Sequence, residues 1–375
     1  MRKLALIITA VLLLSSTVKA ADVKIGANKE LIVDGKQMFL LGSYGPMRTF
    51  AYFKKLGLNC VPASDGFFAK GVTNEMCFAE AKRLGLYTNC SISDIEKVNK
   101  NDPTLIMWDQ TDEPDYIERD KPGSIKELID LYKKAHTLDN KPVNVCFGSM
   151  FAGGAGVMKN ALYVEYAEKT ADVVMTDIYP VGNIDKPDNL YLMGKAMKNL
   201  EKITKGKKPL MIAVEVCKIN DKAARAANAY EVRAEIWMVI IHGAKGIFYF
   251  PSRFDHVRFS PVAIPEDVEA ELIRTNGEVT ALTDVILSGD SEAKVDVVES
   301  ETATAATMLK EKGDKYYLFT INMKKAPGKL KFTVAGANGS EAEVYGEGRK
   351  VKVVNGSIEE DFKGYEPHIY VMSKK

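Results

Sequence analysis

The order of apolar and polar positions predicts alternating strands and helices over the first three quarters of the chain. Eight apolar runs are short, continuous and bounded by polar or glycine-containing segments, which is typical of strands buried on both faces. They cover residues 38–42, 59–63, 87–92, 104–108, 143–147, 172–178, 210–216 and 247–250. Strands of this kind, each followed by a helix, predict a parallel sheet.

Helical patterns separate these runs. Apolar residues at helical spacing predict helices over residues 47–56 and 74–84, from Ser124 onward, and over 265–288. Ser124 with Glu127 three residues on predicts a capping box. Because strand–helix–strand crossovers are right-handed, eight such units predict a closed (β/α)8 barrel. A doubly wound open sheet is the alternative, but residues 42–46 lack its glycine-rich phosphate loop.

Both ends of the chain depart from this alternation. Asp34-Gly35 predicts a hairpin turn before the first barrel strand. From residue 291 the helical period stops, and short alternating runs predict a small antiparallel β-sandwich. The runs are 295–298, 316–321, 331–334, 351–354 and 368–371, with predicted turns at Gly313-Asp314, Asn338-Gly339 and Asn355-Gly356. We therefore expect a barrel domain over 21–290 and a β-sandwich domain over 291–375.

Residues 1–20 have the pattern of a signal peptide. Arg2 and Lys3 precede an apolar run over 4–14, and Val18-Lys19-Ala20 offers small residues for cleavage near Ala20. The run is too short for a membrane anchor, which needs about 20 apolar residues. The sequence thus predicts a secreted or periplasmic protein without a membrane span.

Composition narrows the possible partners and chemistry. Lysine and arginine number 51 and aspartate and glutamate 50, so charge gives no case for nucleic acid or an anionic membrane as partner. The five cysteines cannot all be paired, and they lack a metal-ligand or redox spacing. Four of them lie in apolar strand-like runs, where a free cysteine behaves as a small buried hydrophobic residue. With four histidines and no H-x-x-x-H spacing, no metal site is expected, and no other cofactor is implied.

Candidate chemistry collects where the predicted strands end, which is the functional face of such barrels. Strand four runs into Asp109, Asp112 and Glu113, and strand seven contains Glu215. There is no G-x-S-x-G nucleophile motif and no phosphate loop. Two carboxyl groups facing each other are what cleavage of a glycosidic bond requires, because one must protonate the leaving oxygen while the other stays ionised.

The segments Trp108–Pro114 and 209–215 resemble the large clan of retaining (β/α)8 glycoside hydrolases. The resemblance implies that Glu113 is the acid/base and Glu215 the nucleophile, and that a carbohydrate is the substrate. It also implies that Tyr179 hydrogen-bonds the nucleophile and that Tyr249 or Phe250 stacks on a sugar. The substrate-binding residues predicted in all are Tyr44, Trp108, Asp112, Asp177, Tyr179, Tyr249 and Arg253.

One residue departs from the clan's pattern and keeps a second function open. The clan has asparagine immediately before the acid/base, where this chain has Asp112. A non-catalytic, carbohydrate-binding barrel is therefore the alternative to an enzyme. A structural ion pair with Arg233 or Lys245 is likewise the alternative for Glu215, since a charge inside an apolar strand needs a partner or a function.

Overall fold

A closed barrel of eight parallel strands forms the centre of the computed structural model, which describes residues 19–63, 70–152, 158–255 and 259–375. The barrel strands are β4 (Leu40–Ser43), β5 (Cys60–Pro62), β6 (Tyr87–Ser91), β7 (Leu105–Asp109), β8 (Val143–Phe147), β9 (Val173–Asp177), β10 (Leu210–Glu215) and β11 (Gly246–Phe250). Each neighbours the next along the chain, and β11 closes on β4. The predicted (β/α)8 barrel is confirmed, and every predicted barrel strand is present within two residues.

Helices cover the outside of the barrel. They are α1 (Phe50–Lys55), α2 (Asn74–Leu84), α3 (Pro114–Asp120), α4 (Ile125–Leu138), α5 (Ser149–Ala152), α6 (Asn160–Lys169), α7 (Tyr191–Thr204), α8 (Ala229–Ile241), α9 (Glu266–Ala281) and α10 (Thr283–Ile286). Helix α2 has the predicted bounds, and its Gly85 stop has a left-handed φ of 64°. The predicted helix at 47–56 begins instead with a 3-10 turn, Met47–Thr49.

The predicted capping box at Ser124 is wrong. The Ser124 hydroxyl donates to Glu118 Oε2 at 2.8 Å rather than accepting from its own helix, and Lys121 binds Glu127 at 2.9 Å. Glu118 is nearly buried and collects the unpaired N–H groups at the start of α4, a contact from α3 that local spacing does not reveal.

Side chains that point into the barrel form a core separate from the layer beneath the helices. Leu40, Met107, Met175, Met211 and Phe248 fill the barrel interior. A three-stranded N-terminal sheet packs on the same cluster, through Leu31 and Val33 among others. Its strands are β1 (Val23–Ile25), β2 (Leu31–Val33) and β3 (Lys36–Met38), with the predicted turn at Asp34-Gly35. The amino end of the barrel is therefore covered.

The predicted signal peptide lies almost wholly outside the described residues, which begin at Lys19. Ala21, the first residue after the predicted cleavage point, is already buried against the barrel interior. Within the described ranges, no helix combines the length and the hydrophobicity needed to cross a bilayer.

Two antiparallel sheets follow the barrel and enclose their own apolar core, which confirms the β-sandwich. The first contains β14 (Val295–Glu299), β17 (Gly328–Val334) and β20 (Ser357–Phe362). The second contains β15 (Ala305–Lys312), β16 (Lys315–Asn322), β21 (Pro367–Lys374), β18 (Ala337–Val344) and β19 (Arg349–Lys352).

Two of the three predicted sandwich turns are confirmed, at Gly313-Asp314 and Asn355-Gly356. The third, at Asn338-Gly339, is wrong because these residues lie inside β18, and the chain turns earlier, at Gly336. The register of β18 against β21 shifts between Asn338 and Glu343, and this irregularity accommodates the positive φ of Gly339.

Candidate active site

Carboxylates crowd the carboxyl end of the barrel, which we call the mouth. Asp109, at the end of β7, is held from both sides, since the side-chain amides of Asn89 and Asn144 donate to its two oxygens. Burial raises the pKa of Asp109 to about 6, with a further contribution from Asp112. These two hydrogen bonds fix the Asp109 carboxyl, which forms an acidic floor at the base of the mouth.

Glu113 lies above this floor with an unusual backbone conformation. Its φ of 43° and ψ of 53° place it in the left-handed region, which is unfavourable for a residue other than glycine, asparagine or aspartate. The N–H of Glu113 donates to the carbonyl of Cys146 at 3.1 Å. Gly148 makes room for its carboxyl, because a Cβ there would lie 2.9 Å from Glu113 Oε1. Neighbouring strand β8 thus holds the strained turn in place.

The environment of Glu113 suits proton exchange near neutral pH. Burial raises the pKa of the Glu113 carboxyl to about 7, and the nearby Asp112 and Asp115 raise it further. Asp112 is exposed at its outer edge, while the protein groups packed around its carboxyl displace water and raise its pKa. A carboxyl with a pKa near the working pH is an effective general acid or base.

Asp177, at the end of β9, is the carboxyl whose charge is coupled to Glu113. Burial raises the pKa of Asp177 well above its usual range, and Glu113 is the largest of the charges that raise it further. A hydrogen bond with Tyr179 opposes this effect. Its Oδ1 is buried and has no hydrogen-bond partner among the described residues. The mouth therefore contains an acidic pair, Glu113 and Asp177, with one oxygen free for a ligand.

Asp115 supports this pair, although the sequence analysis did not single it out. It is fully buried on α3, where it accepts hydrogen bonds from the Gly148 N–H and the Tyr163 hydroxyl, both at 3.0 Å. These bonds fix the end of β8 against the turn that contains Glu113. Its position in the first turn of a helix suggests only a charge on the surface, so the sequence offers no clear signal of this role.

Aromatic rings form the opposite side of the mouth. The Phe250 ring lies 5.2 Å from that of Tyr179 and 6.2 Å from that of Tyr44. The series continues outward through Phe254 and Phe259, which are partly exposed and were not predicted. Rings flanking a polar, acidic centre form a surface suited to the apolar faces and hydroxyl edges of sugars.

Glu215 has hydrogen-bond partners of its own, and its predicted pairing with Glu113 stays a prediction. Its side chain is fully buried, and its two oxygens accept hydrogen bonds from the N–H groups of Val181, at 2.7 Å, and Gly182. The carboxyl of Glu235 on α8 lies close enough to interact with that of Glu215, and when protonated it can donate a hydrogen bond to it. The Glu215 carboxyl is therefore held by the segment that follows β9 and has no exposed surface.

The proposed ion pair for Glu215 is not formed. Arg233 instead binds Glu278 at 2.7 Å, and Lys245 lies at the other end of the barrel. Glu215 and Glu235 are both buried, and burial raises the pKa of each carboxyl. Two buried acids in contact disfavour double ionisation, so the pair favours a state that shares one proton.

Two predicted substrate-binding aromatics point away from the mouth. The Trp108 indole N–H donates to Asp139 at 3.0 Å, and the Tyr249 hydroxyl donates to Asn276 of α9 at 2.5 Å. Both side chains are fully buried beneath the helices, because side chains alternate along a strand and these two have the outward parity. Of the two stacking candidates, Phe250 is thus the one that faces the mouth.

The remaining predicted residues fall into two groups. Tyr44, Asp112, Asp177 and Tyr179 lie around Glu113, as their mutual electrostatic effects indicate. Arg253 lies at the rim, in the short strand β12 (Arg253–Phe254), which pairs with β13 (Phe259–Ser260). There it binds Asp221 at 3.2 Å, and its contact with substrate stays a prediction. The sequence also predicts Asp65 at the end of strand two and His256 just after strand eight, and both lie outside the described residues.

Comparison with known proteins gives the fold but no family. No family model matches the chain, and no curated protein matches it. Solved structures are similar across most of its length. A family 30 glycoside hydrolase, an endoxylanase from Clostridium papyrosolvens C71, has a TM-score of 0.51 at 13% identity, with 95% of this chain and 100% of that one covered.

Two further structures resemble the chain slightly more closely in shape. A family 39 glycoside hydrolase from the gut symbiont Bacteroides cellulosilyticus WH2 has a TM-score of 0.55 at 11% identity, covering 92% of this chain and 87% of that one. An α-amylase from Geobacillus thermoleovorans, complexed with acarbose, has a TM-score of 0.55 at 7% identity, covering 88% and 91%. At such identities the likeness shows a shared fold, so function has to be argued from the site.

Proposed function

We propose that the chain is a glycoside hydrolase in which Glu113 exchanges a proton with the glycosidic oxygen and Asp177 is the second carboxyl. The observation that carries the proposal is the acidic pair, Glu113 and Asp177, opposite the aromatic rings of the mouth. The similar solved structures include glycoside hydrolases, which supports the same substrate class.

The chemistry follows from the coupling of the two acids. Two neighbouring carboxyls resist double ionisation, so near neutral pH the pair retains one proton and bears one charge. The protonated carboxyl assists departure of the leaving sugar, and the ionised one stabilises the positive charge that develops at the anomeric carbon. Asp112, open to solvent beside Glu113, contacts the bound sugar in place of the clan's asparagine.

The stereochemical route and the location belong to the same proposal. In the retaining route, the reactive form of the pair has its shared proton on Glu113. Glu113 gives this proton to the leaving oxygen while the ionised Asp177 attacks the anomeric carbon, and water then hydrolyses the covalent intermediate with Glu113 as base. The signal-peptide pattern of residues 1–20 supports a location outside the cytoplasm, after cleavage near Ala20. Amino-terminal sequencing of the mature protein tests the cleavage, and NMR of the first product anomer tests retention.

Three amide substitutions, assayed on a panel of activated aryl glycosides, test the assignment. Glu113→Gln and Asp177→Asn are each expected to lower kcat/KM by about 10²- to 10⁴-fold, the usual contribution of a general acid or base. Glu215→Gln, which conserves shape at a fully buried site, is expected to stay within about threefold of wild type. Loss of activity in Glu215→Gln with retention in Asp177→Asn would restore the predicted Glu113–Glu215 pair.

The pH profile provides a second measurement. If Glu113 acts as the acid, kcat/KM falls as the pH rises through its pKa of about 7, because the proton is then lost. Glu75→Gln, at an exposed position on α2, is the matched control and leaves the profile unchanged. Wild-type protein that binds glycans but hydrolyses none would instead establish the non-catalytic, carbohydrate-binding barrel.

A further inference from the structure

A groove lies where the barrel meets the β-sandwich, at the opposite end of the barrel from the mouth. It has two lobes, of about 580 and 550 Å³, which share Lys198, Ile241, His242 and Thr307 in their walls. The segment 242–245 connects α8 to β11 and forms part of the wall. We call this space the junction groove. It is separate from the acidic mouth.

The lining of the junction groove is strongly basic. Two acidic residues, Glu201 and Asp290, face six lysines. These lysines are Lys29, Lys195, Lys198, Lys245, Lys310 and Lys324. Clustered cations in a concave site focus a positive potential, which attracts anions.

Among the described residues, Lys245 differs from its neighbour Lys310 in having no protein partner for its ammonium group. Only 8% of it is exposed, and its ammonium has no hydrogen bond or ion pair within the described part of the chain. Its neighbour Lys310, by contrast, binds Asp290 at 2.8 Å and the Ser288 carbonyl at 2.6 Å. Burial and Lys310 lower the pKa of Lys245 to about 8, despite weaker opposing effects of Asp290 and Glu30. The stem of Lys245 is therefore buried while its ammonium faces the groove without a partner among the described residues, so an anion bound there would supply one.

The lobe of about 580 Å³ is shaped by Gly194, a glycine on α7. A Cβ at Gly194 would lie 2.8 Å from the His242 ring and 2.9 Å from the Met323 side chain, so only glycine leaves this floor as it is. His242 Nδ1 forms a hydrogen bond with the Met238 carbonyl at 2.8 Å, and the other ring nitrogen, Nε2, takes no part in this bond. The lobe also contains Lys198 and the Thr307 residue of β15.

We propose that the junction groove binds an oxyanion, such as the carboxylate or sulfate group of an acidic sugar, with Lys245 and Lys198 as its cationic contacts. The ligand lies between the barrel and the β-sandwich and bonds to residues of both. The acidic mouth repels an oxyanion, so the mouth and the junction groove differ in the ligand charge that they favour. This inference does not depend on the proposed hydrolase activity.

Calorimetric titration of the full-length mature protein tests the proposal, with galacturonate oligomers, sodium sulfate and neutral oligosaccharides as separate probes. We expect the acidic probes to bind and the neutral ones not to. Lys245→Met is expected to weaken binding about tenfold or more, since hydrogen bonds to charged groups are the strong ones. Binding of the oligomers but not of sulfate identifies a sugar acid; binding of both identifies a general oxyanion site.

The controls separate loss of the ligand contact from loss of the fold. Lys245→Met replaces a buried, unpaired cation by an apolar chain of similar length, so its melting temperature is expected to match or exceed that of wild type. Lys133→Met, at an exposed position on α4, removes the same charge elsewhere and should leave binding unchanged. Equal affinity in Lys245→Met and wild type, or no binding of any acidic probe to wild type at millimolar concentration, would overturn the proposal.

Discussion

Replacing Glu235 by glutamine tests the buried carboxyl pair behind β10. Glu235 is fully buried, and neither of its oxygens has a partner within the described ranges other than the Glu215 carboxyl. The amide has the shape of a protonated carboxyl and donates a hydrogen bond to Glu215 without a titrating proton. Glu215, still bonded by Val181 and Gly182, can then ionise without a second acid beside it.

The expected effect has a definite sign in pH. Burial raises the pKa of both carboxyls in the folded state, so their stabilising contribution is complete below the unfolded pKa of about 4.5 and is lost as the pH rises through the folded values. One pKa unit corresponds to about 1.4 kcal/mol, and burial raises the pKa of Glu215 to about 7, so ionisation of Glu215 alone removes roughly 3 kcal/mol at high pH. Glu235→Gln removes the further cost of ionising Glu235, so between pH 5 and pH 9 its free energy of unfolding should fall less than that of wild type.

Urea unfolding of wild type and Glu235→Gln between pH 5 and pH 9 measures the difference directly. Other acids that titrate in this range, such as Asp109, contribute equally to both proteins and cancel. Glu75→Gln, exposed on α2, should show no pH-dependent difference from wild type. A free-energy difference between Glu235→Gln and wild type that is the same at pH 5 and pH 9 would refute the shared-proton pair.

Three further substitutions separate strain and packing from function. Glu113→Gly relieves the positive φ, so the free energy of unfolding should rise by up to about 1 kcal/mol while hydrolysis is lost; a lower melting temperature would contradict the strain. Tyr249→Phe leaves the buried Asn276 carbonyl oxygen without its donor and should cost about 1–3 kcal/mol of stability with KM unchanged. Trp108→Phe removes the bond to Asp139 and should likewise lower the melting temperature without altering glycan binding; a changed KM in either variant would place that ring in the mouth.

Much of the barrel could be predicted because its signal is local. Each strand is a continuous apolar run, and a helix stop such as Gly85 repeats a pattern that needs only a few neighbouring residues. The capping box at Ser124 failed for the opposite reason. The Ser124 hydroxyl donates to Glu118 of α3 instead. This tertiary contact replaces the local hydrogen bond that a capping box would make.

The site could be predicted only in part. Strand ends located Glu113 and Asp177, since every parallel strand of a barrel ends at the same face. Side-chain direction was harder, because Glu215 and Tyr249 both sit near strand ends and yet contact helices. One signal was available for Glu215: Glu235 is an acid in the otherwise apolar stretch 234–241 of α8, and such a residue needs a buried polar partner.

Burial inside the fold protects the five free cysteines from oxidation. Each thiol is buried, and burial raises the pKa of Cys90 and of Cys217 to about 12, so the native protein presents almost no reactive thiolate. An oxidising compartment, such as the one the leader pattern implies, acts only on chains that have opened. Once opened, a chain with an odd number of thiols forms mismatched or intermolecular disulfides and cannot return. The working lifetime of this protein is then set by how rarely the barrel opens, a rate rather than an equilibrium.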